Sequence, residues 1–221
     1  MNDLPSVEHS YGAELVRKGI HLCSVSIPVI YYFISRSTAL SILVPLTLLF
    51  LLSDVARLFH ESTGRLYDRF FGFLLRSHEK NNRGRQLTGA TYVLLSATIG
   101  VWLFPKVIFI TAFAILIVSD TAAALIGRRW GKHPFLAKSV EGTTAFFVTA
   151  LIVVAVAPKI DYLATEYLIG TVAALAGTLV EASPIRIDDN VSIPFSIGGV
   201  MWLLYAVFLP AINMFALDAL V

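Results

Sequence analysis

Long apolar stretches alternate with short polar segments along almost the whole chain. Each stretch approaches the length of about 20 residues that a helix needs to cross about 30 Å of hydrocarbon. The segments between them are too short to form a separate water-soluble domain. The pattern predicts an all-α, polytopic membrane helical bundle with about seven spans, at residues 19–34, 38–56, 88–104, 106–126, 143–157, 162–180 and 196–217.

The basic residues are distributed unevenly between the two sides of this predicted bundle. With the N-terminus in the cytoplasm, 14 of the 17 Lys and Arg residues fall in cytoplasmic segments, and only Arg36, Lys106 and Lys159 fall outside. Cytoplasmic loops of membrane proteins carry such an excess of positive charge. The charge pattern therefore supports seven crossings that begin in the cytoplasm.

Composition agrees with a membrane protein. Hydrophobic residues make up 57% of the 221 positions, charged residues make up 14%, and mean hydropathy is +0.75, whereas a soluble domain carries about 25% charged residues. The single cysteine, Cys23, excludes a disulfide framework or a Cys-based metal site, and no nucleic-acid partner is expected. We expect one integral membrane domain over residues 1–221, whose first span is retained rather than removed as a signal peptide.

One predicted cytoplasmic segment is amphipathic rather than spanning. Between Arg57 and Arg76, Leu and Phe recur at helix-like spacing against Arg and Asp. This pattern predicts an interfacial helix that lies in the headgroup layer. Such a helix would either anchor the chain or guide a lipid substrate.

Asp120, which follows Ser119 inside the apolar run of the fourth predicted span, is the most unusual polar residue. A carboxylate at membrane depth costs about 2.5–3.5 kcal/mol on insertion scales, so it usually faces a cavity. A carboxylate for Mg²⁺, with cations and backbone N–H groups for phosphate, is what a metal–nucleotide complex needs. The loop that follows supplies Gly127, Gly131, Lys132, Lys138 and Gly142. The alternative is a buried Asp paired with a nearby Arg, beside an ordinary basic loop.

This loop departs from the Walker A motif, because Ile126 and His133 occupy the wrong positions. Ser139 is predicted to cap the next helix, whose first N–H groups would then be open to an anion. Small residues follow Asp120 and precede Glu181 at helical spacing. Since small residues let helices approach closely, the fourth and sixth spans are predicted to pack together and to bring the two carboxylates near each other.

Polar residues also gather at one predicted face of the membrane. A transporter would need polar groups near the midplane with access to both faces. The arrangement therefore favours an enzyme that takes a cytosolic cofactor to a lipid headgroup. The residues concerned are Arg17, Lys18, His21, Asp54, Arg57, Asp120, Glu141 and Glu181.

Four segments, in chain order, resemble the CTP-dependent lipid-alcohol kinase family, which includes dolichol kinases, phytol kinases and yeast-type diacylglycerol kinases. They are Arg17-Lys18-x-x-His21, residues 119–127 (SDTAAALIG) with Gly131-Lys132, residues 138–143 (KSVEGT), and Glu181 with residues 189–194 (DNVSIP). The chain lacks the extra spans of eukaryotic dolichol kinases, and we expect a minimal, prokaryotic member.

The resemblance implies transfer of the γ-phosphoryl group of CTP, with Mg²⁺, to the hydroxyl of a membrane lipid alcohol: diacylglycerol, a polyprenol such as dolichol, or phytol. It also implies an active site that faces the cytoplasm of a prokaryotic cell membrane. By position it assigns catalysis to Asp120, Glu141, Arg17 and Lys18, nucleotide binding to Gly127, Gly131, Lys132, Lys138, Gly142 and Asn190, and the metal to Asp120, Asp189 and Glu181. The proton acceptor is left open between Glu141 and Asp120, and the particular lipid and the oligomeric state are not predicted.

Three alternatives stay open at this point. A CDP-lipid synthase would use the same CTP with phosphatidic acid, but the acidic signature of that family near the C-terminus is replaced by Asp218 alone. A small transporter would use Asp54 and Asp120 as an ion relay. A non-catalytic membrane scaffold would leave the buried acids without a reason.

Overall fold

A computed structural model describes residues 7–59 and 86–218, with side chains from Leu15 onward. The described chain is helical apart from a short two-stranded hairpin. Its elements are α1 (Val7–Cys23), α2 (Ser26–Phe33), α3 (Arg36–Phe59), α4 (Gly89–Leu103), α5 (Lys106–Trp130), β1 (Pro134–Phe135), β2 (Lys138–Ser139), α6 (Val140–Val156), α7 (Ala164–Ala182), α8 (Asp189–Phe208) and a final 3₁₀ turn (Ala216–Asp218).

Three of these helices, α3, α5 and α8, are long and apolar enough to cross a membrane by length and composition, and α4 and α6 are shorter apolar helices. The prediction of an all-α membrane helical bundle is therefore confirmed. The count of seven crossings and their orientation stay predictions. The part of the predicted interfacial helix that follows Phe59 lies outside the described residues.

The first predicted span consists of two helices rather than one. Pro28 has no N–H group, and its ring clashes with the carbonyl four residues earlier in a regular helix. That carbonyl belongs to Ser24, and it accepts instead from Ile27 N at 3.0 Å. The break separates α1, which carries the basic residues, from the apolar α2.

The helix α5 forms the centre of the bundle. In its most apolar stretch 78% of the residues are buried, against 22% in α3 and 33% in α8. It packs against α1, α2, α6 and α8, and its Phe113, Ile115 and Leu116 are fully buried. A helix that is apolar on all sides belongs in a core, and this position places Asp120 inside the bundle.

The small residues of α5 and α7 face different neighbours from those predicted. A Cβ on Gly142 of α6 would lie 3.2 Å from Gly127 Cα, so α5 packs closely against α6. A Cβ on Gly177 would lie 2.5 Å from Ile197 of α8, so the stripe on α7 serves the contact with α8. Spacing along one helix identified the close contacts correctly but could not say which helix fills each one.

The last helix begins earlier and ends earlier than predicted. Asp189 and Asn190 lie between the last two predicted spans, yet they form the first turn of α8, and the Asp188 carboxylate caps this turn by accepting from Asn190 N at 3.0 Å. Pro194 lies inside the helix, before the predicted start of the span at residue 196. At the other end α8 stops at Phe208, well before Leu217.

Basic residues, two of them buried and one half-buried, hold the loops at the end of the bundle away from the hairpin. Lys106 Nζ donates to Ile34 O at 3.0 Å, and Arg36 pairs with Asp218, with Nη2 and Oδ1 2.9 Å apart. Lys159 Nζ donates to the main-chain carbonyl of Val154 at 2.7 Å. Each of the three basic residues predicted on the outer side thus bonds a neighbouring carbonyl or carboxylate and holds a helix end.

Candidate active site

One lysine joins the ends of two helices at the end of the bundle that carries the hairpin. Lys138 Nζ lies 3.2 Å from Glu181 Oε1, at the end of α7, and 3.2 Å from Asp189 Oδ2, at the start of α8. Side-chain exposure falls from 37% at Lys138 and 36% at Asp189 to 4% at Glu181. The group is therefore open to the surface on one side and buried on the other.

The hairpin places Lys138 at this point. Its two strands pair Phe135 with Lys138, and the turn between them passes through Leu136 with φ 49°, a left-handed conformation that is uncommon for leucine. The next residue, Ala137, donates its N–H to Ala182 O at 2.9 Å. Because this bond attaches the hairpin to the end of α7, the lysine side chain lies beside Glu181.

A second ion pair lies deeper in the bundle. Lys18 of α1 donates to the Asp120 carboxylate and, at 3.4 Å, to the Asp120 main-chain carbonyl. His21 Nε2 lies 3.6 Å from Asp120 Oδ2, and both Lys18 and Asp120 are buried. Asp120 stands ten residues before Trp130, where α5 ends, which is about 15 Å of helix at 1.5 Å per residue.

The two groups influence each other. Burial alone would lower the pKa of Lys138, but the carboxylates of Asp189, Glu181 and Asp120 outweigh it and raise the pKa above its usual value. Lys138 therefore stays charged at neutral pH, and Asp120 is close enough to act on it. We call these six residues the ion cluster: Lys18, His21, Asp120, Lys138, Glu181 and Asp189.

The glycines of the predicted phosphate loop have a packing role. A Cβ on Gly131 would lie 2.2 Å from Gly127 O and 2.7 Å from Ser139 Oγ, and a Cβ on Gly142 would lie 3.1 Å from Ala123 O. Only glycine fits where the end of α5, the start of α6 and the hairpin meet. The glycines thus bring Ser139, and with it Lys138, against the end of α5.

Main-chain N–H groups at the start of α6 already have hydrogen-bond acceptors within the chain. The prediction that Ser139 caps this helix is confirmed, since its Oγ accepts from Gly142 N at 3.2 Å. Val140 N donates to His133 O at 2.9 Å. These N–H groups are therefore occupied in the structure, contrary to the expectation that they are open to an anion.

Glu141, in the first turn of α6, bonds to the segment before the hairpin rather than to the ion cluster. Its carboxylate accepts from Lys132 N at 3.1 Å and from His133 N at 3.4 Å, and it contacts His133 Nδ1 at 2.7 Å. Bonds to its own backbone N–H and to His133 lower the pKa of Glu141 to about 2. A carboxylate this acidic is a poor proton acceptor near neutral pH.

The remaining candidates lie around the cluster. Arg17 precedes Lys18 on α1 and is half-buried, and Lys132 is exposed just before the hairpin. Asn190 is buried, with its amide Nδ2 2.7 Å from Asp188 Oδ1. Asn190 therefore helps to shape the start of α8, next to Asp189.

Residue roles assigned from sequence omitted His21, although it belongs to the first of the matching segments. It lies three positions after Lys18 on α1, so the two side chains share a helix face. That spacing was the available signal. What it could not show is that this face meets Asp120 of α5.

The carboxylates of the cluster have the right chemistry for Mg²⁺. Among residues 7–59 and 86–218 no group of three or more His, Cys, Asp or Glu side chains is arranged to hold a metal ion. Mg²⁺ bound with a nucleotide usually takes only one or two carboxylates, with phosphates and waters completing the shell. Glu181 Oε2 is buried and has no hydrogen-bond partner in the described part of the chain, so Glu181 and Asp189 fit that smaller set.

Asp54, the other acid in an apolar span, has structural partners. Its Oδ2 accepts from Thr88 N at 2.7 Å and from Thr91 Oγ1 at 2.7 Å, and its Oδ1 lies 3.4 Å from Arg57 Nε. All four residues are buried. The network joins the end of α3 to the start of α4, and it accounts for Asp54 without an ion relay.

Comparison with known proteins gives the family. The chain is 33% identical over 186 residues to the uncharacterized protein RP860 of Rickettsia prowazekii, covering 83% of this chain and 90% of the relative. It is 35% identical over 98 residues to CTP-dependent diacylglycerol kinase 1 of Schizosaccharomyces pombe, covering 43% of each chain. It is 26% identical over 141 residues to dolichol kinase sec59 of the same yeast, covering 57% of this chain and 26% of the relative.

The two kinase matches thus span less than half of those relatives. No family model and no solved structure matches the chain. The chain therefore belongs to the same family as the Rickettsia protein and is related, over part of its length, to lipid kinases.

Proposed function

We propose that the protein is a membrane lipid kinase that transfers the γ-phosphoryl group of CTP to the hydroxyl of a membrane lipid alcohol. Diacylglycerol, a polyprenol and phytol are the candidate acceptors. The observation that carries the proposal is the ion cluster, in which two lysines and three carboxylates from separate elements meet at one end of the bundle. Phosphoryl transfer requires mainly positioning and charge neutralisation from a protein, and the cluster supplies groups for both.

The nucleotide would bind at the open side of the cluster. Lys138, which is partly exposed, and Lys132, which is exposed just before the hairpin, would pair with its phosphates. Gly127, Gly131 and Gly142 would act by holding the hairpin against α5. Because the hairpin is bonded to the end of α7, both lysines would be presented from a fixed support.

Glu181 and Asp189 would hold Mg²⁺, which when bound would neutralise charge on the phosphates. The metal role assigned to Asp120 from sequence remains a proposal that requires Lys18 to leave its carboxylate. Lys18 and Arg17 would then neutralise the transferred group. Asn190 would support the metal position through the start of α8.

The transfer itself would form one bond and break another. The acceptor hydroxyl oxygen would bond to the γ-phosphorus while the bond from that phosphorus to the β–γ bridging oxygen breaks, releasing CDP. The hydroxyl proton would pass to a carboxylate. Of the two candidates, Asp120 lies in the ion cluster, whereas the Glu141 carboxylate is bonded to main-chain N–H groups just before the hairpin.

The lipid would approach laterally between helices, and the reaction would take place at the cytoplasmic face of a prokaryotic cell membrane. Residues 1–221 would form a single catalytic membrane domain. The positive-inside pattern supports this orientation, because the segments around the hairpin are the basic ones.

Labelled CTP tests the proposal and separates it from a CDP-lipid synthase. Purified protein in detergent or liposomes should transfer label from γ-labelled CTP to lipid, and none from α-labelled CTP. Diacylglycerol, phytol and a polyprenol, offered side by side, would identify the acceptor. Label that arrives only from the α position, and only with phosphatidic acid present, would instead establish a cytidylyltransferase.

A further inference from the structure

We propose that Lys138 occupies, in the nucleotide-free protein, the position of a divalent cation between Glu181 and Asp189. When the lysine turns towards nucleotide phosphates, the two carboxylates become free to bind the cation. The inference rests on the proposed function for the phosphates that draw the lysine away. The cation position itself rests on contacts within the chain.

The lysine nitrogen lies between the two carboxylates. Lys138 Nζ lies 3.2 Å from an oxygen of Glu181 and 3.2 Å from an oxygen of Asp189. These acids come from the end of α7 and the start of α8, and without a positive group between them they would repel each other. The point that the ammonium occupies is therefore one that requires a cation of some kind.

One carboxylate oxygen of Glu181 is unused in the described part of the chain. Its Oε1 faces Lys138, whereas Oε2 is buried and has no hydrogen-bond partner in the described part of the chain. Buried polar atoms are usually satisfied, and an exception calls for an explanation. A hydrated divalent cation, which brings both charge and water ligands, would satisfy an oxygen that one ammonium leaves unpaired.

The carboxylates and ammonium groups at this site do not balance in charge. The carboxylates of Asp120, Glu181 and Asp189 outnumber the ammonium groups of Lys18 and Lys138 by one. Exchanging the single charge of Lys138 for a divalent ion would remove this excess. A buried site is more stable when its charges are matched.

The Lys138 side chain has more freedom to move than the two carboxylates. Lys138 projects from a two-residue strand on a long side chain that is 37% exposed, whereas Glu181 and Asp189 stand on helix ends. The lysine can therefore swing outward over a short distance while the carboxylates remain in place. Asp188 fixes the first turn of α8 by accepting from Asn190 N.

The test uses the full-length protein in detergent, without nucleotide or lipid, and measures Mn²⁺ binding by electron paramagnetic resonance together with the thermal unfolding midpoint. Lys138→Met removes the ammonium and keeps the length of the side chain. We expect this variant to bind Mn²⁺ at least about tenfold more tightly than the unsubstituted protein, because no ammonium has to be displaced. Its unfolding midpoint should be low in chelator and rise with Mn²⁺ or Mg²⁺.

Two further variants make the result specific. Lys138→Met combined with Glu181→Gln should lose the gain in Mn²⁺ binding, because one of the two carboxylates is gone. Lys132→Met is the matched control, since it removes a lysine just before the hairpin and leaves Lys138, Glu181 and Asp189 unchanged. In the absence of nucleotide, its Mn²⁺ binding should equal that of the unsubstituted protein.

Each remaining outcome contradicts the proposal. Equal Mn²⁺ affinity in Lys138→Met and the unsubstituted protein would show that the ammonium does not compete with a cation. Loss of folded Lys138→Met protein whether or not divalent cations are present would show that only an ammonium fits. None of these measurements requires turnover, so failure of the cation exchange and failure of the kinase proposal are distinguishable.

Discussion

Lys18 donates to Asp120 twice, to its carboxylate and, at 3.4 Å, to its main-chain carbonyl, although the two residues stand 102 positions apart. The pair joins α1 to the central helix on the N-terminal side of the break that Pro28 introduces into the first span. Because both residues are buried, neither charge can turn to water when its partner is removed.

Asp120→Asn should therefore reduce folding stability as well as activity. Breaking a buried pair by removing one partner costs about 3–5 kcal/mol, here because the Lys18 ammonium loses its counter-charge. The double variant Lys18→Met with Asp120→Asn should recover most of the thermal midpoint in detergent and none of the transfer of γ-label. If Asp120→Asn unfolds at the same temperature as the unsubstituted protein, the pair contributes nothing to folding.

The close contacts of Gly131, where the end of α5 meets the hairpin, predict that a single added methyl group lowers stability. Gly131→Ala places a Cβ 2.2 Å from Gly127 O, and overpacking of this kind costs about 1–3 kcal/mol. We expect a lower unfolding midpoint and weaker nucleotide binding, because the hairpin that carries Lys138 must move.

Gly199→Ala is the matched control for this substitution. A Cβ there meets nothing within 4 Å in the described part of the chain, and alanine is favoured over glycine in a helix by about 1 kcal/mol. Its midpoint should stay the same or rise. A similar fall in the unfolding midpoint of both variants would mean that the packing around Gly131 is not tight.

Glu141 predicts a dependence of stability on pH. Its folded pKa of about 2 lies below the ordinary glutamate pKa of 4.5, so its contribution to stability is fully present above pH 4.5 and is lost as the pH falls towards 2. The difference in unfolding midpoint between the unsubstituted protein and Glu141→Gln should be largest near neutral pH and shrink over that acidic range. A difference that stays constant down to pH 2 would exclude an ionised Glu141 as its source.

The hydrogen bonds of Asp54 predict that its substitution lowers folding stability without lowering the transfer of γ-label. Asp54→Asn removes the charge that accepts from Thr88 N and Thr91 Oγ1, and leaving such donors poorly paired costs about 1–3 kcal/mol. The midpoint should fall, while γ-label transferred per folded molecule should not change. Ion flux in proteoliposomes of the unsubstituted protein that a folded Asp54→Asn protein has lost would instead favour the transporter.

Hydropathy and capping rules predicted much of the fold. The apolar run that became α5, the start of α4 after Thr88 and the cap at Ser139 all depend on local sequence, because length, periodicity and side-chain acceptors are properties of one segment. The break at Ser24 was missed, although Pro28 gave a local signal for it.

Contacts between segments were harder to predict. The fit of Gly142 against Gly127, and that of Gly177 against Ile197, are relations between two helices that no spacing within one helix specifies. Glu141 and Asp120 also looked equivalent in sequence. Only the fold shows that Glu141 accepts from main-chain N–H groups just before the hairpin while Asp120 faces Lys18.

The fall in exposure from 37% at Lys138 to 4% at Glu181, across a single ion pair, has a consequence for the proposed substrates. Water and the apolar interior are separated there by the length of one side chain. A water-soluble phosphoryl donor and a water-insoluble alcohol could meet at that boundary while each stays in its own phase. The acceptor would then never need to be lifted out of the bilayer, and only its hydroxyl would have to reach the polar side.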